Sequence, residues 1–508
     1  MNSSVAIFIK KHWDALLASV TVGVFLLLYT RHSGIGISPD SVTYLTVAEN
    51  IRNHFSLVDF NQYPLVDFPV GYPFTLSLVM LVTGLSPLQF APVLHIILFG
   101  GILFMTSFII SRQQNTSPLY KLLLLALLSF SPVLLEIYSM LWSETLFIFL
   151  SVTFFIAAYT YGKNHSSRNL IFFSIITGLC FLTRYAGISL VITGGAFILF
   201  DGDLGAIKKI KHLLVFGMIA VSGIVANLIH NHMVSGSTTG VREKALRTLG
   251  DTLLQVGNTV SDWLPFLHGY ALITIILVLL VFMVSVYSIV FRILQQQFYH
   301  SFETIISLFF VVYLLFMITI ASVSRFEDLS SRLLSPIYIP LLLVGSSWIP
   351  ASLQKMVYRK KWLLLLPVLI IYSGFAYHQY SQNAEAWEGI KDAGIPGYTE
   401  DSWKESATIQ YIRNNKNLLS PILYSDAYDA AYFLAGIHSL PLPHKEISEE
   451  RSALLQNKGF SVIWLNDGFN PDLVDINFIK QHKKIIFEKQ LADGAVYTFA
   501  DSSFVLPK

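Results

Sequence analysis

Long apolar runs separated by short polar loops dominate the first three quarters of the chain. Because about twenty apolar residues cross a bilayer as a helix, the pattern predicts roughly eleven membrane-spanning helices. They lie near Trp13–Tyr29, Leu88–Ser111, Leu119–Leu135, Ser143–Tyr161, Asn169–Thr183, Tyr185–Phe200, His212–His230, Leu267–Phe291, Thr304–Ala321, Leu333–Trp348 and Trp362–His378. The run Tyr72–Thr83 is apolar but too short to span, and we expect an interfacial helix there.

The stretch Asn169–Phe200 admits two interpretations. One continuous helix would be about 48 Å long, far more than the hydrocarbon core needs, with Arg184 at its middle. It would also place the basic cluster Lys208–Lys211 outside. Two short helices with Arg184 at their outer apex satisfy both constraints, and this is our prediction.

Basic residues indicate the orientation, because Lys and Arg favour cytoplasmic loops. The short loops on the same side of the membrane as the N-terminus are rich in Lys and Arg. The longer loops on the opposite side of the membrane have fewer. The sequence therefore predicts a multi-pass protein of the inner (plasma) membrane with a cytoplasmic N-terminus. Lys10 and Lys11 precede the first span, which lacks a small-residue cleavage site and is predicted to be an uncleaved anchor.

After His378 the composition becomes that of a water-soluble domain. Helical and strand-like segments alternate there: helices at Trp403–Asn414 and Pro471–His482, strands at Pro421–Ser425 and Val462–Leu465, and a hairpin at Ile485–Phe499 turning at Ala492–Gly494. The predicted fold is an α-helical polytopic membrane protein with a small C-terminal α/β extracytoplasmic domain. Residues 1–380 form the membrane domain with outer loops 30–87, 232–266 and 322–332, and residues 381–508 form the second domain.

Composition narrows the functional classes. Hydrophobic residues make up 54% and charged residues 13%, with a mean hydropathy of +0.58, which is typical of membrane proteins. The net charge of +2, without a basic stripe, gives no support for a nucleic-acid partner. Cys180 is the only cysteine, so an intrachain disulfide and a cysteine-based metal site are excluded.

Acidic residues concentrate in the outer loops, where Asp40 and Tyr44 are spaced to share one helix face. A simpler interpretation makes Asp40 a first-turn acid of a helix that begins after Ser38. Glu144, at the outer end of a span, is open to the same alternative. Arg184 either reaches toward the interface or binds a phosphate, a role to which the guanidinium is well suited.

Arg325 and Arg332 flank Glu327 and Asp328, and mutual ion pairing is the simpler interpretation of that segment. No Gly-rich phosphate loop is present, so a nucleotide site has no support. Histidines are scattered without the spacing of a common metal motif, and the sequence requires no metal.

Several short motifs occur in order along the predicted topology. They are the Asp40–Tyr44 loop, Pro69–Pro73, Ser143-Glu144, Leu182–Tyr185, Arg332–Pro336 and Tyr424–Gly436 in the tail. Together they resemble the GT-C superfamily of integral membrane glycosyltransferases, in particular the relatives of protein O-mannosyltransferases and aminoarabinose transferases. The resemblance covers most of the chain.

The resemblance implies an enzyme that transfers a sugar from a polyprenyl-phosphate donor to a lipid, glycan or protein acceptor on the extracytoplasmic face. Asp40 matches the family's first-loop acid and would be the general base, with inversion at the anomeric carbon. Arg184 and Arg332 would neutralise the departing lipid phosphate, and we group Tyr44, Tyr72 and Arg325 with them as residues that bind phosphate or substrate.

Many family members carry Asp-Glu in the first loop, whereas Ser41 follows Asp40 here. This departure leaves the second acidic role, and any divalent metal, open. Glu144 is the first choice for that role, and Asp59 and Asp67 are weaker choices. Two other classes remain: a multi-spanning transporter, and a non-catalytic assembly factor for cell-envelope polysaccharide that binds the lipid carrier.

Overall fold

Helices account for most of the chain in the computed structural model, which describes residues 3–113, 117–240, 244–325, 327–357, 360–416, 420–466 and 472–501. The helices are α1 (Ser3–Tyr29), α2 (Pro39–His54), α3 (Gly71–Thr83), α4 (Pro87–Arg112), α5 (Pro118–Ser129), α6 (Pro132–Ser139), α7 (Glu144–Lys163), α8 (Ser167–Thr183), α9 (Ile188–Leu199), α10 (Ala206–Ser235), α11 (Leu249–Trp263), α12 (Ala271–Leu294), α13 (Phe302–Val323), α14 (Ser331–Leu334), α15 (Tyr338–Ser346), α16 (Trp348–Lys355), α17 (Trp362–Ala393), α18 (Asp401–Lys404), α19 (Ala407–Asn414), α20 (Tyr428–Ala435), α21 (Ser448–Gln456) and α22 (Ile476–His482). The strands are β1 (Leu423–Ser425), β2 (Leu440–Pro441), β3 (Gly459–Trp464), β4 (Lys484–Gln490) and β5 (Ala495–Ala500).

Within these described residues, eight helical segments are long and apolar enough to cross a membrane: seven single helices and the broken segment Ser331–Lys355. The pair α5 and α6 is a further candidate, bent by 49°. The predicted span over Leu119–Leu135 is thus made of two helices with a bend between them. Pro132 has no N–H to donate within a continuing helix, and Ser131 caps a new helix by accepting the N–H of Leu134.

The two remaining predicted spans are the short helices α8 and α9, which confirms the break at Arg184. Arg184 itself is extended, with φ −147° and ψ 142°, and a 3₁₀ turn at Tyr185–Gly187 follows it. The chain returns tightly here, because a Cβ on Gly187 would lie 2.5 Å from the Cα of Phe181. The predicted short helix after Gly71 is also present, as α3.

By its packing the chain divides into two units. The first contains Met1–Tyr29 and Pro64–Gly389, and the second contains Thr30–Tyr63 together with Ile390–Lys508. The sequence-based division at residue 380 had grouped the first outer loop with the membrane domain.

In the first unit, α7 and α13 lie in the interior, with 67% of their spanning residues buried, against 11% for α17. A peripheral helix keeps its apolar side chains exposed because lipid solvates them as well as protein does. The first residue of α7, Glu144, is therefore surrounded by packed helices and buried from solvent.

The second unit is built on a five-stranded mixed sheet of order β2-β1-β3-β5-β4. β1 is parallel to β2 and β3, whereas β5 is antiparallel to β3 and β4. The hairpin β4–β5 confirms the predicted turn. The predicted helix Trp403–Asn414 is instead two helices, because Ser406 caps α19. Helix α22 starts only at Ile476, and Pro471 lies outside the described residues.

The segment Thr30–Tyr63 is an integral part of this second unit. The N–H of Tyr398 donates to the carbonyl oxygen of Ile37 at 2.8 Å, and Thr399 Oγ1 donates to that of Ile35 at 3.2 Å. The ring of Phe60 stacks on Tyr432 in α20, with 4.6 Å between centroids. Helix α2, which starts at Pro39, is thus fixed against the C-terminal domain.

Candidate active site

A buried carboxylate bridged by two arginines is the central polar feature of the first unit. Glu144 Oε1 lies 2.7 Å from Nη1 of Arg184 and 2.7 Å from Nε of Arg332. Glu144 is fully buried, while the arginine side chains are 17% and 14% exposed. Three of the residues predicted from sequence to belong to the site are therefore in direct contact.

Three different elements bring this trio together. Glu144 is the first residue of α7, and Arg184 is the extended residue between α8 and the following 3₁₀ turn. Arg332 lies in the short helix α14, which the hydroxyl of Tyr313 in α13 secures by donating to the carbonyl oxygen of Leu333 at 2.8 Å. The Glu144 carboxylate is thus positioned by the end of a packed helix, and its two arginine partners are positioned by other packed elements.

Neighbouring side chains orient both guanidinium groups. Arg184 Nη1 also donates to the hydroxyl of Ser143 at 2.9 Å. The guanidinium carbon of Arg332 lies 4.6 Å from the ring centroid of Trp142, a cation–π arrangement. Because Trp142, Ser143 and Glu144 are consecutive, one short segment orients both arginines.

The trio has a net charge of +1, since one carboxylate faces two guanidinium groups that stay charged at all relevant pH values. An exposed carboxylate, Glu327, lies farther from Arg332, at 3.9 Å. A buried cationic surplus with planar, multiple N–H donors suits a phosphate group.

Tyr72 and Tyr313 border the trio, and both are fully buried and lie close enough to interact electrostatically with Glu144. Tyr72 owes its position to Gly71, where α3 passes α8 so closely that a Cβ would lie 2.5 Å from the carbonyl oxygen of Leu182. This contact gives a physical reason for glycine in the Pro69–Pro73 motif. Arg325 lies in the loop after α13, outside the trio.

Asp40 lies in the second unit, in the first turn of α2. Ser38 caps that helix, and the Ser41 hydroxyl accepts the N–H of Ser38 at 3.1 Å. Asp40 is half-buried, and Tyr44, one turn later, is fully buried. Capping is therefore supplied by Ser38 and Ser41, and the Asp40 carboxylate is not needed for it.

A second carboxylate, Asp429, accompanies Asp40. Burial, together with the neighbouring Asp40 carboxylate, raises the pKa of Asp429 to about 6, although hydrogen bonding from Tyr398 opposes the shift. Asp429 is only 4% exposed, at the start of α20. The sequence spacing of these residues gave no signal, because the acids belong to opposite ends of the chain.

The weaker candidates for a second acidic role have local partners. Asp59 accepts the N–H groups of Asn61 and Tyr63 at 2.8 and 2.9 Å, which is a turn-forming arrangement. Asp67 lies beside the backbone of Gly240. Of the three carboxylates weighed for this role, Glu144 is the one in contact with Arg184 and Arg332.

The sequence itself matches no protein-family model and no curated protein. The structure does have relatives: the arrangement of helices and C-terminal sheet is that of a polytopic membrane protein with the fold of GT-C glycosyltransferases. The resemblance predicted from sequence is therefore confirmed at the level of the fold.

Two solved proteins illustrate the similarity. ArnT from Cupriavidus metallidurans in the apo state has a TM-score of 0.56, with 98% of each chain covered and 11% identity. The same protein bound to undecaprenyl phosphate has a TM-score of 0.54, with 100% of each chain covered and 10% identity. The oligosaccharyltransferase AglB from Archaeoglobus fulgidus, in complex with an inhibitory peptide and a dolichol-phosphate, has a TM-score of 0.53 at 13% identity, covering 98% of this chain and 75% of that one.

Proposed function

We propose that this protein is a membrane glycosyltransferase that moves a sugar from a polyprenyl-phosphate donor to an acceptor on the extracytoplasmic face, with inversion. The observation that carries the proposal is the buried Glu144 carboxylate bridged by Arg184 and Arg332. Solved proteins of the same fold that bind undecaprenyl phosphate and dolichol-phosphate support it.

The chemistry explains why a cationic site is required. In the proposed reaction an acceptor hydroxyl oxygen attacks the anomeric carbon while the bond to the lipid phosphate breaks. A phosphodiester with one negative charge becomes a phosphomonoester that carries between one and two. Guanidinium groups stabilise the transition state most where negative charge develops on the phosphate. Folding has already oriented them, so no reorganisation is needed during the reaction.

Asp40 is the proposed general base, which accepts the proton of the acceptor hydroxyl. Glu144 has a different proposed role: its carboxylate is engaged by two arginines, so it positions them rather than accepting the proton. Attack opposite the leaving phosphate in a single displacement inverts the anomeric configuration.

Orientation in the membrane follows from the distribution of basic residues. We place the N-terminus in the cytoplasm and the C-terminal domain outside the plasma membrane, where a lipid-linked donor and a lipid, glycan or protein acceptor meet. Membrane lipids are the remaining expected partners.

The test is release of polyprenyl phosphate from a panel of polyprenyl-phosphate sugars by the purified protein in lipid, with a membrane extract as acceptor source. We expect one donor to turn over with the wild type and with D262N, which changes an exposed acid paired to His268. D40N should lose at least a hundredfold in rate while still binding polyprenyl phosphate.

One outcome would contradict the proposed activity, and another would contradict the role of Asp40. Binding of polyprenyl phosphate without turnover of any donor would favour an assembly factor that carries the lipid. Turnover that survives D40N would retain the enzyme class and remove Asp40 as its base.

A further inference from the structure

A second polar cluster lies at the other end of α7 from Glu144. Asp201 Oδ2 lies 2.7 Å from Nε2 of His165 and 2.8 Å from Nε2 of His300. These three potential ligand atoms lie within 4.8 Å of one another. Since α7 has 20 residues, the cluster is about 30 Å from the arginine-bridged carboxylate and separate from it.

Three loops supply the cluster, and their packing fixes its side chains. His165 follows α7, Asp201 follows α9, and His300 precedes α13. The His300 ring packs directly against Gly162, where a Cβ would lie 3.0 Å from its Cδ2 atom. Tyr299, next to it, stacks on Phe197 and donates its hydroxyl to the carbonyl oxygen of that residue at 2.8 Å.

The Asp201 carboxylate is completely buried, and both histidines approach the same one of its oxygens, Oδ2. Its other oxygen accepts the N–H of Asp203 at 2.9 Å, which fixes the plane of the group.

His300 faces carboxylates on both sides, and this is the observation that points to a ligand. Its Nε2 faces Asp201, and its Nδ1 lies 3.5 Å from Oδ2 of Asp203. A protonated imidazole would donate one N–H to each carboxylate, whereas a neutral ring has only one N–H to donate. With the ring neutral, the Nδ1–H is donated to Asp203, as the outer carboxylate partners of metal-bound histidines accept it, and the Nε2 lone pair is left for a metal ion.

We infer that His165, Asp201 and His300 form a binding site for a divalent transition-metal ion of the zinc class. Two imidazole nitrogens and one carboxylate oxygen are ligands that Zn²⁺ prefers, and water completes its tetrahedral shell. Ligands at 2.0–2.1 Å from such an ion stand about 3.4 Å apart, so each histidine nitrogen has to move about 0.6 Å away from the Asp201 oxygen. The ion links three loops at one face of the membrane. Its binding does not depend on the proposed sugar transfer.

The experiment measures metal binding by the full-length protein in lipid after removal of metal with EDTA. Co²⁺ is titrated first, because a tetrahedral site gives strong visible absorption, and Zn²⁺ is then used in competition. Wild type should bind one ion per chain and show a raised thermal unfolding midpoint with Zn²⁺. H165Q, H300Q and D201N should each lose at least a hundredfold in affinity, and D203N about tenfold.

H268Q is the matched control, since His268 also pairs with an aspartate, Asp262, but on an exposed loop. It should bind Zn²⁺ like the wild type, which separates the cluster from adventitious binding by the other histidines. Equal Zn²⁺ affinity in the wild type and the three ligand variants would overturn the inference. If those variants fail to fold in EDTA, the Co²⁺ spectrum of the wild type tests the inference instead. Absence of tetrahedral absorption bands from that spectrum would also overturn the inference.

Discussion

Replacing Glu144 by glutamine keeps the shape of the side chain and removes the charge that separates Arg184 from Arg332. Both guanidinium nitrogens lie 2.7 Å from the same oxygen, so they are no more than about 5.4 Å apart. At an effective dielectric constant of 20, two unit charges at that separation repel by about 3 kcal/mol, and the Glu144 carboxylate offsets this repulsion whereas a neutral glutamine does not. We therefore expect E144Q to lower the free energy of unfolding by about 3 kcal/mol, within the range measured for broken buried ion pairs.

The assay is equilibrium unfolding of the purified protein in mixed micelles, followed by loss of helical circular dichroism. D328N is the control, because Asp328 and Arg247 form an exposed pair, 69% and 36% accessible, whose loss should cost under about 1 kcal/mol. The double variant E144Q/R332Q should recover part of the loss, since it removes one of the repelling charges. If the two substitutions simply add, or if E144Q unfolds like the wild type, repulsion between the arginines is not what Glu144 prevents.

Three further predictions concern other parts of the chain. The D429N variant should be more stable relative to wild type at pH 7 than at pH 4, by about 2 kcal/mol, in unfolding measured at both pH values. The reason is that a carboxyl pKa raised from 3.8 to about 6 makes the wild type lose stability as pH rises through that window; an equal difference at both pH values would contradict it. G71A should cost about 1–3 kcal/mol in the same unfolding assay because its Cβ meets a backbone carbonyl, whereas G195A, with open space around it, should cost nothing; equal effects would refute the packing argument. In a background where the lone Cys180 is changed to Ser, S452C should react with an impermeant thiol reagent in intact cells and K208C only after permeabilisation; the reverse pattern would invert the proposed orientation.

Hydropathy and charge together were enough to predict most of the membrane unit. The break at Arg184 was predictable because a charge at the middle of a 32-residue apolar stretch is costly in lipid. The bend at Pro132 was missed because a hydropathy window counts proline as neutral and does not register its missing N–H.

The candidate site was predictable only as a set of residues. Glu144, Arg184 and Arg332 were each chosen from their place at a span end, but Glu144 and Arg332 are 188 residues apart, and no spacing rule joins them. The metal-type cluster was missed for the same reason, since one ligand comes from each of three loops. The approach of Asp429 to Asp40 could not be predicted from the sequence, because it depends on packing between α20 and α2.

The packing of Thr30–Tyr63 with Ile390–Lys508 has a consequence for how the protein is made. The N-terminal segment leaves the ribosome about 330 residues before its partner does, which at 5–20 residues per second is a delay of roughly 20 to 60 seconds. During that interval the apolar residues of α2 have no second unit to pack against. This domain therefore cannot be completed until the second of its two segments has been synthesised, and a chain that terminates before residue 390 leaves Thr30–Tyr63 without the residues that it packs against.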